Sequence, residues 1–439
     1  MTLLFKYINF KKLHFITLVT FFLFLYACQT DIKNKEQKIA FLSKIAKPIK
    51  TLNPSNTSFE DLKFFKKTLE KTNIVMLGEI AHTDGSSLEA KTRLVKFLHQ
   101  EMNFEVLAFE SDLLGCNYAW ETLKKTDNNY DSAFAKGVYP VWSKSFYLKE
   151  LIKYIGQSTN TNKPLELAGI DIQPNTGLQA SERIGLYKSH IKSIEPNISL
   201  NKFDTFFKIF NSTKKYMINS QKVDSTIQKK VFNELKLLET VFTKADTSII
   251  KNKLYLHHIK NLQRYFYFAW NIDFNNINPD IANIRDLEMG NNVIWLKEHM
   301  YPNKKIIIWG ANSHLIYNRN LLYYPDKMIP LGDFVKRKYG AKCFVIGFTC
   351  FSGKLGSVLK NYTQDVPMAS NKSIEQLIHN TGHKYAFFSS KKLKSSTLFN
   401  DSYVARFLGF SNRKAKWNSM LDGFIFIDKM KANKKNTNE

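Results

Sequence analysis

The sequence predicts an α/β fold: a mostly parallel central sheet flanked by helices, with an inserted helical lobe. Three observations carry this. Short apolar runs at Ile74–Leu77, Val106–Phe109, Leu165–Ile170 and Ile306–Trp309 have the length of buried strands. Helical patterns lie between them, and strands alternating with helices argue for parallel pairing. From about residue 181 to 300 the pattern changes: apolar residues recur at helical spacing, and no convincing strand interrupts them.

The chain begins with a targeting segment over residues 1–27. Lys6, Lys11 and Lys12 form a positive region, and the apolar run Phe15–Tyr26 is short for a membrane span. It ends in Leu25-Tyr26-Ala27-Cys28, which resembles a bacterial lipobox. That resemblance implies cleavage before Cys28 and its lipidation, anchoring the protein to the membrane of a bacterial cell envelope without spanning it. Residues 28–55 are polar and lysine-rich and read as a tether; the globular part is expected over 56–428.

The stretch Asn73–Asp112 organises the rest. Strand Ile74–Leu77 runs into Gly78-Glu79, His82 follows in a loop, and Leu88, Leu94, Val95 and Leu98 mark a helix that carries Lys91. Strand Val106–Phe109 then ends at Glu110. Leu113–Lys125 reads as a helix, the aromatic piece Tyr139-Pro140-Val141-Trp142 as core or cleft lining, and Phe146–Tyr154 as a further helix. Strand Leu165–Ile170 ends at Asp171.

In the lobe, Val231, Phe232, Leu235, Leu238, Val241 and Phe242 recur helically, and Leu254–Trp270 continues the pattern. His257 and His258 are sequence neighbours, so on a helix they point in different directions and make a poor metal pair. Its last helix, Ile284–His299, carries Arg285 and Asp286 near its start. Such a lobe is placed to roof the strand ends. Afterwards Ile306–Trp309 ends at Gly310-Ala311-Asn312-Ser313-His314, and Phe344–Thr349, Tyr385–Ser389 and Phe424–Asp428 read as further strands, with a helix at Ile374–His379. The tail over 429–439 is polar and charged and is expected to be disordered.

Composition bounds the function. The 439 residues are 44% hydrophobic, enough for a sizeable core in one large domain or two ordinary ones. The net charge of +26 invites a nucleic-acid reading, but the lysines are scattered and no basic–aromatic stripe is present. No nucleic-acid partner is expected; the membrane is contacted through the lipid anchor only. Four cysteines, without a Cys-x-x-Cys spacing, leave Cys116, Cys343 and Cys350 once Cys28 is assigned. All three read as buried small hydrophobes, with Cys343 and Cys350 on opposite faces of one strand.

Glu79, His82, Glu110, Asp171 and His314 come from the ends of four predicted strands, and in open α/β sheets ligands bind beyond those ends. Taken singly, each has a structural explanation: a helix cap, a hydrogen-bonded histidine, an ion pair with Lys91, a turn. Their convergence is what an active site requires. No Gly-x-Ser-x-Gly elbow, zinc motif, Walker loop or Gly-x-Gly-x-x-Gly occurs, so neither a metal nor a cofactor is expected, and water is the nucleophile. A histidine suits its deprotonation, a carboxylate the ring's orientation, and a cation the developing oxyanion. Either Glu79 or Glu110 can be the orienting acid.

These residues resemble the erythromycin esterase family. Gly78-Glu79-x-x-His82, Lys91 and Phe109-Glu110-Ser111 carry the likeness, followed by Ala168–Gln173, Arg285-Asp286 through Asn292–Leu296, Ile307–His314, and Leu331-Gly332-Asp333 to Gly347-Phe348-Thr349. It spans roughly Asn73 to Gly356. The resemblance implies hydrolysis of an ester, in known members the macrolactone of erythromycin-type antibiotics, which links the family to antibiotic resistance. By it His82 matches the general base, Glu79 and Glu110 the paired acids, and His314 the last histidine of a His-Asn-x-His piece. Lys91, a position often held by arginine, joins Asp171, Asn312 and Arg285 as the expected substrate-binding residues. The chain departs from the pattern with Ala311 at the first histidine and Thr83 where a glycine usually stands. Two other classes are a metal- or haem-handling protein of the same fold group and a non-catalytic envelope-binding lipoprotein.

Overall fold

The computed structural model describes residues 33–126, 129–211, 223–360 and 362–436. The expected leader and Cys28 lie outside the described residues.

Among the described residues eleven strands are formed: β1 (Lys47–Pro48), β2 (Ile74–Glu79), β3 (Phe104–Asp112), β4 (Glu166–Asp171), β5 (Lys305–Ala311), β6 (Cys343–Ser357), β7 (Tyr362–Val366), β8 (Tyr385–Ser389), β9 (Tyr403–Leu408), β10 (Ser411–Ala415) and β11 (Gly423–Met430). A nine-stranded sheet has the order β1-β8-β11-β6-β2-β5-β3-β4, with β7 beside β6. Its six strands from β11 to β4 pair in parallel; β1, β7 and β8 are antiparallel. The fold is therefore α/β with a mostly parallel sheet, as the alternating pattern predicts. The short β1 and β7 and the β9–β10 hairpin lack an extended apolar run and so carry no strand signal in the sequence.

Period-two alternation sorts the strands' side chains to two faces. Ile74, Met76, Val106, Ala108, Ile306 and Ile308 join one core cluster, and Val75, Leu77, Leu107, Phe109, Ile307 and Trp309 the other. Cys343 and Cys350 fall in different clusters, and both are free and buried, as is Cys116. The helix after β2, Gly85–Met102, buries Leu88, Leu94, Val95 and Leu98 in the second cluster. After β5, the Leu331–Tyr339 helix buries Leu331 and Val335 in the first. Adjacent strands β2 and β5 thus send their helices to opposite faces. That divergence opens a crevice at their carboxyl ends, where Glu79 and Ala311 are register partners.

Between β4 and β5 the described residues form helices at Ala180–Ile194, Asp204–Asn211, Ser225–Thr243, Ile250–Asn271 and Pro279–Trp295, with no strand among them. These helices pack on the first face through Tyr187, Phe206, Leu235, Ile259 and Met289. The last begins at Pro279, capped by Asn278, so Arg285 sits two turns in rather than near its start.

Two terminal expectations change. Residues 33–45, placed in the tether, are helical, and Leu42 is fully buried among sheet side chains. Its first six residues are polar, and the apolar side lies farther along, where Ile39, Phe41 and Ile45 join Leu42 against the core. The tail is not disordered from residue 429: β11 runs to Met430, and Ala432 and Lys435 form bridges with Asp84 and Ser145. The tail's polar composition hid this, because it is held by backbone hydrogen bonds rather than by apolar burial.

Candidate active site

Alternation along β2 points Glu79 to the face of Val75 and Leu77, whereas Glu110 follows Phe109 and points to the opposite face. The two acids accordingly anchor separate clusters on either side of one strand edge.

In the first cluster, Glu79 Oε1 lies 3.0 Å from His82 Nδ1 and accepts from Trp142 Nε1 at 3.1 Å. Its other oxygen pairs with Lys91 Nζ, and Glu79 and Lys91 are both fully buried. Lys91 also donates to the Gly310 carbonyl at 3.2 Å and stands 4.1 Å over the Trp309 ring. Burial works to raise the Glu79 carboxyl, but Lys91 and His82 outweigh it and hold it below the usual value. Burial pushes Lys91 down to about 8 despite Glu79. An ionised carboxylate can only accept, so the His82 proton belongs on Nδ1 and the lone pair on Nε2. The His82 side chain is 35% exposed, against none for Glu79. The Trp142 ring meets it edge-on with centroids 4.8 Å apart.

In the second cluster, Glu110 Oε1 accepts from Arg285 Nη2 at 2.9 Å, and Oε2 accepts from the Ala311 amide at 3.0 Å. Asp171 holds Arg285 from the other side, accepting from Nε at 3.1 Å and from Nη2. His314 has Nδ1 2.8 Å from Asp286 Oδ1, and Nε2 3.4 Å from Glu110 Oε1 and 3.3 Å from Arg285 Nη1. Asp286 is itself held by the Leu331 amide at 3.1 Å. Burial alone would raise Glu110; His314 and Arg285 bring it down to about 2. Burial would lower His314, but Asp286 and Glu110 raise it above the ordinary histidine value. This cluster therefore brings His314 and the Arg285 cation to the edge, with 19% and 16% of their side chains exposed.

Gly310 separates the clusters. Its carbonyl takes Lys91, and a Cβ there would come within 3.0 Å of Glu110 Oε2. Gly78 is also obligatory, because a Cβ would overlap Asn312 Oδ1.

The structure brings Glu79, His82 and Lys91 into one group and Glu110, Asp171, Arg285 and His314 into another. It places some of them away from the substrate-binding position expected of them. Lys91 and Asp171 are fully buried against Glu79 and Arg285. Asn312 is 1% exposed and donates to the carbonyls of Phe348 and Phe407, both at 2.9 Å, so it ties β5 to β6 and β9. Of the four expected substrate binders, only Arg285 reaches the surface of the edge. Trp142 and Asp286 take up roles the sequence did not assign. The aromatic piece at 139–142 was visible, but nothing in it told that the indole N–H meets Glu79. Among the described residues no group of three or more His, Cys, Asp or Glu side chains is arranged to hold a metal ion.

Comparisons with known proteins give one family model and several relatives. The erythromycin esterase family model matches residues 99–430. A putative hydrolase, YbfO, of Bacillus subtilis (strain 168) is 25% identical over 405 residues, covering 86% of this chain and 88% of its own. Among solved structures, a Bacillus cereus protein superposes with a TM-score of 0.76 at 18% identity, over 92% of this chain and 99% of that one. A succinoglycan biosynthesis protein gives 0.73 at 18% identity, over 91% and 98%. A histidine-to-asparagine mutant of the erythromycin esterase EreC, in its open conformation, gives 0.66 at 16% identity, over 88% and 98%. These structural likenesses concern the fold.

Proposed function

The chain belongs to the erythromycin esterase family, and we propose on that premise that it is a hydrolase in which His82 activates water against a carboxylic ester or macrolactone. One observation carries the reading: a part-exposed histidine whose Nδ1 is 3.0 Å from a fully buried carboxylate. Water on Nε2 gives up its proton to His82 as its oxygen attacks the ester carbonyl carbon. Glu79 stabilises the imidazolium that forms, without taking the proton. Lys91 keeps Glu79 ionised in a buried setting, and Trp142 fixes the carboxylate that both share. Arg285 and His314, held by Asp171, Glu110 and Asp286, supply positive charge for the carbonyl oxygen of the tetrahedral intermediate. His82 then returns the proton to the leaving alkoxide. Anchoring at Cys28 to a membrane of the cell envelope belongs to the same proposal.

The experiment is a panel of macrolides and simple esters, read by mass spectrometry for the gain of one water. Hydrolysis is expected in the parent, with a loss of about a hundredfold or more in His82→Ala. A His82→Ala protein that keeps its rate, or a parent that cleaves no ester in the panel, would overturn the reading.

A further inference from the structure

We propose that the C-terminal strap positions the catalytic histidine, with Asn433 as the residue that transmits its hold; this rests on His82 being the base. The backbone after His82 is secured from the far end of the chain. Asn433 Nδ2 donates to the His82 carbonyl at 2.9 Å, across 351 residues of sequence. The Asn433 amide donates to the Thr83 carbonyl at 2.9 Å, which also accepts from Gly356 at 3.0 Å. Farther along, Gly85 donates to the Lys431 carbonyl at 3.0 Å, and the Lys431 amide donates to Ser86 Oγ at 2.8 Å.

The same strap holds the segment bearing Trp142. Asn433 Oδ1 accepts from Ser145 Oγ at 2.6 Å, and Nδ2 also reaches the Val141 carbonyl at 3.4 Å. Phe146 donates to the Lys434 carbonyl and Asn436 to the Lys144 carbonyl, each at 2.9 Å. Asn433 is 3% exposed, and both polar atoms of its side chain are used. One buried amide thus joins the loop carrying His82 to the segment carrying Trp142, and both of those side chains meet Glu79 Oε1. Fixing the two segments against each other fixes the direction of the His82 ring. Small misplacements of a base cost rate steeply, so Asn433 is a positioning residue that touches no substrate.

The test uses the full chain, labelled with ¹⁵N-histidine, as parent, Asn433→Ala, Ser145→Ala and His82→Ala. Folding is checked by thermal melt. The His82 ring signals are those missing in His82→Ala. Rates are measured on erythromycin and on p-nitrophenyl acetate. Asn433→Ala is expected to shift the His82 ring nitrogens and to lower kcat about tenfold or more, with KM within about twofold. Ser145→Ala, the milder variant, is expected to do the same to a lesser degree and decides the matter if Asn433→Ala does not fold. Unmoved His82 signals, or an unchanged kcat beside an inactive His82→Ala, would overturn the proposal. If His82→Ala retains hydrolysis, the assignment of the base fails separately; the ring signals still report whether the strap sets the loop.

Discussion

Glu79→Gln takes one negative charge from a fully buried position while keeping the side chain's size and its acceptor for Trp142. Two losses follow, and they can be separated. Lys91 keeps the Gly310 carbonyl and the Trp309 ring but no anionic contact partner. Breaking one half of a buried ion pair costs about 3–5 kcal/mol, and the variant should lose stability on that scale at pH 7. The pH dependence identifies the cause. In the parent, burial has lowered Lys91 to about 8; in the folded chain it is mostly charged at pH 7 and about half charged at pH 8, and in the unfolded chain it is charged at both. Without Glu79 its folded pKa drops further, so the unfolded chain binds the extra proton. Stability of the variant should then rise with pH by up to about 1.4 kcal/mol over that unit. The rate should fall about a hundredfold or more, because His82 loses the carboxylate at Nδ1. Glu79→Gln/Lys91→Met removes both charges and should recover stability to within about 2 kcal/mol of the parent while remaining slow. Urea unfolding at pH 7 and pH 8, with initial rates on the cleaved ester, reads all of this. A double variant no more stable than Glu79→Gln, or a Glu79→Gln protein with parental rate, would refute the reasoning.

Asp286 raises the His314 pKa, so in Asp286→Asn the alkaline limb of kcat/KM should move to lower pH; an unmoved limb would exclude His314 as its source. His258 is fully buried, stacked beside Tyr187, and pushed down by burial to about 4. A histidine lowered on folding contributes full stability above the unfolded value of about 6.5, and loses it as pH falls toward 4. His258→Leu should therefore flatten the acid side of the stability curve by on the order of 3 kcal/mol at pH 4, measured by denaturant melts from pH 7 to 4. Cys28→Ser should release the protein into the soluble fraction or stall its processing, and normal processing with membrane fractionation would sink the lipobox reading.

Most of the sheet was legible. Every strand from β2 to β6 of the parallel set, with β8 and β11, starts or ends within a few residues of an apolar run, since buried parallel strands must be apolar on both faces. The helical patterns over 181–300 were legible for the same reason: one face of each helix is buried. Two of the elements that escaped are held by backbone hydrogen bonds more than by apolar burial. β7 shows only one buried residue, and the strap over 431–436 is polar apart from Ala432.

The sequence by itself determined which groups the strand ends would offer: Glu79, Glu110, Asp171 and the His314 loop all follow directly on apolar runs that can only be strands. It also determined that a histidine and an acid lie close, because three residues separate Glu79 from His82. Only the tertiary structure decided how these groups are shared out. The relative register of β2, β5 and β3 turns Glu79 and Glu110 to opposite faces, and the Nδ1 of His82 meets Glu79 rather than Glu110. Lys91 could be read as a cation for substrate. Its place on the buried side of the Gly85–Met102 helix makes it the partner of Glu79 instead. Asn433 could not be read at all, since nothing local marks a polar tail residue as the amide that reaches back across 351 positions to the His82 loop. Strand order and side-chain parity are long-range properties, and hydrogen bonds made across them leave no periodicity in the chain that makes them.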